Sequence, residues 1–189
     1  MKVWRIEADL SEEYKSYQLR YTEKLFFKTF CKRTRDGIRF NGEYDNVEIY
    51  STDGKVTPDF AHFWAGGELI LTNEEAKNCL EELLNDFVEF VPLKCEGSTF
   101  YMMHVVEVID AVDSKNKVLG KSERGRDVEK YAFIPEKIQG IAIFKTMIEH
   151  YVNSTEIYVS SEFKERVENS HLTGVKFTEV KEVERICRN

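Results

Sequence analysis

Four histidines and a few aspartates are the residues of this 189-residue chain best equipped to hold a metal or move a proton. His62 follows Asp59 by three positions, and Asp113 follows Asp110 by three, with His104, His150 and His171 elsewhere. Gathered by a fold, His62, His104, Asp110 and Asp113 would suit a small metal-dependent hydrolase. Imidazole and carboxylate together hold a divalent ion, and the ion activates water. The spacing argues against it, since the chain has neither an HExxH helix nor a second Cys/His cluster. Aspartates at strand ends more often close turns, and a lone histidine is more often an ordinary core or surface residue. No metal and no cofactor is expected.

Nucleophilic and phosphate chemistry are equally poorly supplied. The chain has no GxSxG elbow and no recognisable Cys–His setting. Cys79 falls on the apolar stripe of a helix and reads as core. Cys95 follows Lys94, whose charge would lower a thiol pKa, but one neighbour is a weak activator. Gly66-Gly67 and Gly120 belong to no GxGxxG or GxxxxGK[ST] cradle. Lys121, Arg124 and Arg126 could touch an anion, yet Glu123, Asp127 and Glu129 interleave with them, as in a solvated hairpin loop. The catalytic residue set is expected to be empty.

Binding is better provided for. The formal net charge is −7, from 34 acidic and 27 basic side chains, which argues against general nucleic-acid binding and permits either a basic protein partner or simply good solubility. Acidic pairs recur at Glu12-Glu13, Glu74-Glu75 and Glu81-Glu82, with more acid between Glu43 and Glu48. Asp59, His62, Phe63 and Trp64 read either as an aromatic-centred hot spot or as core. The candidate partner-binding residues are Asp59, His62, Trp64, Glu81 and Glu82.

The element that must position them is Ile70 to Leu93, ILTNEEAKNCLEELLNDFVEFVPL. The apolar run Leu69-Ile70-Leu71 reads as a buried strand, and Thr72 or Asn73 can cap a helix that opens on Glu74-Glu75. Ala76, Cys79, Leu80, Leu83 and Leu84 give that helix one apolar face, and Phe87 to Val91 makes a second strand ending at Pro92. The same strand–helix–strand order returns without a gap at Ile157 to Val180, pairing Ile70 with Ile157, Lys77 with Lys164, Glu81 with Glu168, Val88 with Val175 and Phe90 with Phe177. Ser160 stands where Asn73 capped the first helix. Two copies are too few for a solenoid, so the pattern predicts one repeated unit built twice into a single sheet-and-helix core.

Along the rest of the chain, Lys2 to Glu7, Val47 to Tyr50 and the run STFYMMHVVEVID from Ser98 to Asp110 read as strands. So do Tyr131 to Ile134 and Ile141 to Lys145, whereas Tyr21 to Lys32 is ambiguous between helix and strand. Arg33 to Gly37 reads as a turn, and Asn41-Gly42 is a hairpin signal. The predicted fold class is α+β in a single domain: a mixed, mostly antiparallel sheet with a few packed helices. Residues 1–57 are expected to flank the core, 58–180 to form it, and 181–189 to be a charged tail. The start MKVWRIEADLSEEY lacks the basic and apolar regions of a signal peptide, no apolar run reaches ~18 residues, and the four cysteines show no pairing rhythm. These features predict reduced thiols, a cytoplasmic protein and no membrane partner.

The order of parts from DFAHFWAGGELILTNEEAKNCLEELL through VEFVPL, YMMHVVEVIDAVD and IAIFK to IYVSSEFKERVENSHLTGVKFTEV resembles immunity protein family 11 of bacterial polymorphic toxin systems, also described as domain of unknown function 1629. The resemblance covers residues 56 to 180 and rests on the succession of Val105–Asp113, Ile141–Lys145 and Leu172–Phe177. It implies a non-enzymatic antitoxin that binds a cognate toxin domain, encoded by an adjacent gene, and blocks it by occlusion. It carries no catalytic residue onto this chain.

Overall fold

The computed structural model describes residues 2–20, 24–52, 54–65, 68–113, 118–120, 127–130, 133–148, 151–152 and 156–180. From the N-terminus the elements are β1 (Val3–Ala8), β2 (Tyr17–Leu19), α1 (Lys24–Asp36), β3 (Val47–Ser51), β4 (Phe60–Trp64), β5 (Glu68–Thr72) and α2 (Glu74–Leu84). There follow β6 (Val88–Cys95), β7 (Ser98–Val105), β8 (Val108–Ile109), β9 (Val118–Gly120), β10 (Asp127–Lys130) and α3 (Pro135–Ile138). The last elements among the described residues are β11 (Ile143–Ile148), β12 (Tyr151–Val152), β13 (Ile157–Ser160), α4 (Ser161–Asn169) and β14 (Val175–Glu179). The class is α+β, as the pattern predicts, but the strands form two main bodies rather than one sheet. Six staves in the order β2-β3-β6-β7-β5-β4 close into a barrel, and a mixed sheet runs β12-β11-β13-β1-β14 with β8 beside β11.

Both repeated units are present, and their strands do not touch each other directly. In the first, β5 and β6 both lie antiparallel to β7; in the second, β13 and β14 both lie antiparallel to β1. Each unit is therefore a split βαβ, two parallel strands joined through a helix with a foreign strand between them. One constant sequence offset carries the strand pairing across. Leu71 and Val91 share Met102 as cross-strand partner, and their equivalents Tyr158 and Thr178 share Arg5.

The caps and helix faces follow the same offset. Asn73 accepts from the Ala76 N–H at 2.8 Å, and Ser160 accepts from the Phe163 N–H at 3.2 Å, each satisfying an N–H that the helix itself cannot pair. Ala76, Leu80 and Leu84 of α2, and Phe163 and Val167 of α4, are the buried stripes. Lys77 pairs with Glu81 and sits 5.8 Å and 5.4 Å from the Phe90 and Tyr101 ring centres; Lys164 pairs with Glu168 and sits 6.0 Å and 4.6 Å from Phe177 and Trp4. The unit is repeated in packing as well as in pattern, once in each body.

Three apolar clusters result. Tyr17, Ile49, Phe63, Leu71, Leu93 and Met102 fill the barrel together with Phe30 of α1. Ile70, Leu80, Met103, Ile143, Val159 and Phe163 join the barrel's outer wall, α2, α4 and the open sheet. Phe144 and Tyr158 head the third cluster, with Val112 and Ile138.

Several expectations are corrected here. The N-terminal strands do not flank the core: β1 lies between β13 and β14, and β2 and β3 are barrel staves. Lys24–Asp36 is helical, so the residues read as a turn at Arg33 to Asp36 are its last turn, closed by Gly37 at φ +69°. Asn41 and Gly42 both have positive φ, as their turn chemistry predicts, yet no strands flank them. The Glu89 carboxylate takes the Phe40 and Asn41 N–H groups instead, at 2.6 Å and 2.7 Å. The long strand expected over 98–110 breaks at Val106-Glu107, where the chain leaves the barrel and β8 pairs with β11 of the other sheet. Within the charged stretch 115–130, β9 and β10 pair as a ribbon. Asp53, Gly66, Gly67, Lys121, Arg124, Arg126, His150 and the tail 181–189 lie outside the described residues, as do residues 131–132 of the strand expected at 131–134.

The two caps provide a stability test. Ser160→Ala removes one capping bond and should cost about 1 kcal/mol. Asn73→Ala also removes a bond from Asn73 Nδ2 to Asp59, and should cost about 2 kcal/mol. Urea unfolding of the two variants beside the parent measures both, and equal losses would contradict the added role of Asn73.

Candidate partner-binding surface

Asp59 stands immediately before β4, and its carboxylate is fully engaged. Oδ1 accepts from Asn73 Nδ2 at 2.8 Å, while Oδ2 accepts from the Thr173 N–H at 2.8 Å and the Thr173 hydroxyl at 2.7 Å. The backbone repeats the connection, with Asn73 N–H donating to Asp59 O at 3.0 Å and Phe60 N–H donating to Thr173 O at 2.9 Å. Gly174 follows at φ +91°, where any side chain would run into the Phe60 carbonyl. Asp59 thus ties the N-cap residue of the first unit to the helix–strand turn of the second. The pattern offered Asn73 as a cap but gave no sign that a residue 14 positions upstream would hold it.

Strand alternation separates the next candidates. Ala61 and Phe63 point into the barrel and are buried; His62 is half-buried, and Trp64 is 48% exposed. The choice between core and hot spot is therefore split, with Phe63 as core and Trp64 on the surface. Trp64 lies beside Gln18 of β2, which lies beside Tyr50 of β3, whose phenol donates to Gln18 Oε1 at 2.9 Å. On α2, Glu81 accepts from Lys77 at 2.7 Å, and Glu82 is exposed with Glu74 and Glu75. Of the five candidates, Trp64 and Glu82 present themselves to solvent, His62 lines a cleft, and Asp59 and Glu81 are held by internal partners.

The His/Asp set proposed for a hydrolase is not brought together: among the described residues no three His, Cys, Asp or Glu side chains are grouped to hold a metal ion. His104 is buried on β7 against the Phe40 ring, with its Nε2–H donating to Ile38 O at 3.0 Å. Burial, and secondly the charge of Lys145, push its pKa down to about 4. Lys145 is itself buried on β11 and donates to Thr34 O at 2.6 Å, at the end of α1. Burial lowers its pKa to about 8, with the Asp36 carboxylate pulling the other way. This polar pair, missed in the sequence, pins α1 between the barrel and the open sheet. Gly37 beside it has no room for a side chain, since a Cβ would lie 2.7 Å from Val106 O.

The cysteine expectations also change. Cys95 is buried, and burial followed by the charge of Glu96 raises its thiol pKa rather than lowering it; the Lys94 ammonium donates to Thr99 instead. Cys79 is half-buried, with Sγ 3.2 Å from Ser170 Oγ, at the contact of α2 with the end of α4. No helix among the described residues is long and apolar enough to cross a membrane.

His104 sets an acid limb on stability. Its folded pKa lies below its unfolded value of 6.5, so the folded state binds fewer protons between pH 6.5 and about 4. Stability from this group is complete above pH 6.5 and is lost as pH falls through that window, by about 3 kcal/mol at most. His104→Gln keeps a donor for Ile38 O and should flatten that limb, as read from urea midpoints at pH 7 and pH 4.5. An unchanged pH dependence in the variant would remove His104 as its source.

No curated protein matches the chain. The immunity protein family (Imm11) matches residues 28–182, beginning inside α1, well before the residues that carried the resemblance, and taking in the barrel staves β3 to β7 and both split units. The chain belongs to the Imm11 immunity protein family.

Proposed function

We propose that the chain is an antitoxin that binds the toxin domain of a bacterial polymorphic toxin and blocks it by protein–protein occlusion. The observation carrying this is family membership across residues 28–182, which implies a toxin partner in general. The specific reading adds that the toxin is encoded by an adjacent gene, that neutralisation takes place in the cytoplasm, and that no chemistry by the immunity protein is involved. The net charge of −7 supports a basic partner, because opposite potentials speed encounter and disfavour wrong partners.

Within this reading the exposed members of the candidate set make contact, and the others support them. Trp64 offers a large, half-exposed aromatic surface of the type that anchors interfaces. Glu82, near the solvent-facing Glu74, Glu75 and Asp86, contributes to steering. Asp59 and Glu81 act through what they hold in place.

Co-purification of the full chain with the C-terminal domain of the adjacent gene's product, and growth of cells making that domain, test the proposal together. Stable binding and restored growth are expected; if neither occurs, the antitoxin reading is wrong. Glu82→Lys should slow association by about threefold at low salt, with the difference shrinking as ionic strength rises. A salt-independent loss would instead place Glu82 in a buried contact.

A further inference from the structure

A cleft of about 250 Å³ opens at the seam between the barrel and the open sheet. Its floor is Ile6 of β1, Ile70 of β5 and Ile157 of β13, three members of the cluster that joins the two bodies. Leu10, His62 and Lys176 form its rim. Charge around the mouth is already paired within the protein. The Lys176 ammonium lies 2.7 Å from Asp9, and Glu7, which also lines the cleft, lies 3.3 Å from the Arg5 guanidinium. A polar metabolite would need placed donors and acceptors in a pocket of roughly 300–1,000 Å³. A smaller cleft with a carbon floor and its charges paired suits one apolar side chain.

The surface outside the cleft points to a macromolecule as the source of that side chain. Leu10 is 62% exposed on the rim. Trp64, the next outward residue after His62 on β4, continues the exposed surface with a large aromatic side chain, and the hydrogen-bonded Gln18 and Tyr50 border it on β2 and β3. A ligand confined to the cleft would leave this band in water, whereas a protein surface would cover it. Charge along the band is again internally matched, with Arg20 3.4 Å from Glu48. The complementary surface is therefore apolar at its centre, and it need bring no charge to satisfy this one.

We propose that this cleft is the anchor pocket for the toxin domain, which inserts one aromatic or branched apolar side chain between Ile6, Ile70 and Ile157 and covers Leu10 and Trp64. The inference rests on the antitoxin reading and deepens it by placing the contact. A single anchor in a desolvated pocket, ringed by contacts of little individual weight, carries much of the affinity of a protein interface.

The test uses the full chain and, as probe, the C-terminal domain of the adjacent gene's product. Ala8→Phe fills the cleft from β1, and Leu10→Arg places a charge on its rim at a position exposed enough to leave folding intact. Glu136→Gln, exposed on α3, is the control. With melting temperatures checked, either folded cleft variant should weaken binding by about 100-fold, and the control should not change it. If the parent binds and rescues growth while folded Leu10→Arg binds within about threefold of it, the anchor pocket is refuted and the antitoxin reading survives. If the parent neither binds nor rescues, the reading fails and the pocket proposal falls with it.

Discussion

The Asp59 carboxylate is the constraint on which the arrangement of the two bodies depends. It accepts from the residue that caps α2 and from the backbone and hydroxyl of the turn that ends α4. Hydrogen bonds to an ionised acceptor are roughly twice as strong as neutral ones, and here they converge on one side chain. With Gly174 held against Phe60, the second unit meets the first at a fixed distance. The shared cluster of Ile70, Leu80, Val159 and Phe163 can then close to core density across the seam. A second pin, Lys145 on the Thr34 carbonyl with His104 on the Ile38 carbonyl, fixes α1 at the far end of the same seam.

Lys145 and His104 are buried and Asp59 is partly so, and such polar contacts fix an arrangement by their direction as well as by their strength. A barrel and an open sheet joined only by aliphatic contacts could slide, because apolar packing is non-directional. Asp59, Lys145 and His104 add hydrogen bonds, which depend on direction, at fixed points along the join. The same logic removes them from the roles their residue types suggested. An aspartate three positions from a histidine, and a histidine near a strand end, are residue types that can serve as ligands. In the fold the Asp59 carboxylate is used on Asn73 and Thr173 and His104 Nε2 on the Ile38 carbonyl, while His104 Nδ1 is buried without a hydrogen bond. His62, a member of that set that lines the cleft, is accompanied there mainly by carbon.

What the chain revealed of itself depended on locality. The split units were legible because capping, the first-turn glutamates and the apolar stripe all act within a few residues. Their repetition was legible because a constant offset preserves Lys77, Glu81 and Phe90 as Lys164, Glu168 and Phe177. Barrel closure was not, since it depends on short parallel contacts, Gln18 with Trp64 and Glu48 with Lys94, between strands distant in sequence. The role of β1 was hidden likewise: its alternation announced a strand but could not say that β13 and β14 would lie on either side of it. Of the candidate surface, the alternation of Phe63 and Trp64 could have settled which faced outward, had the inner side of β4 been known. Leu10 and the floor of the cleft come from three different elements or their flanks, and no local pattern joins them.

The two exposed features left after this accounting call for different physics. The helix layer presents Glu74, Glu75, Glu82 and Asp86 to solvent, and charges so exposed act at long range, on encounter rates, with strong screening by salt. Leu10 and Trp64 are large exposed apolar side chains whose neighbouring charges are internally paired, so a contact on them would act at short range and resist salt. An antitoxin benefits from both in sequence, steering first and desolvation afterwards, because most of the difference between a weak and a tight complex lies in the dissociation rate. None of those four carboxylates is buried, so the acidic face tolerates substitution more readily than the core does. The cleft is less tolerant, because Ile6, Ile70 and Ile157 are at once its floor and the join between the two bodies. A partner that anchored there would use a surface whose floor also joins the two bodies, and discrimination among partners would fall to the rim.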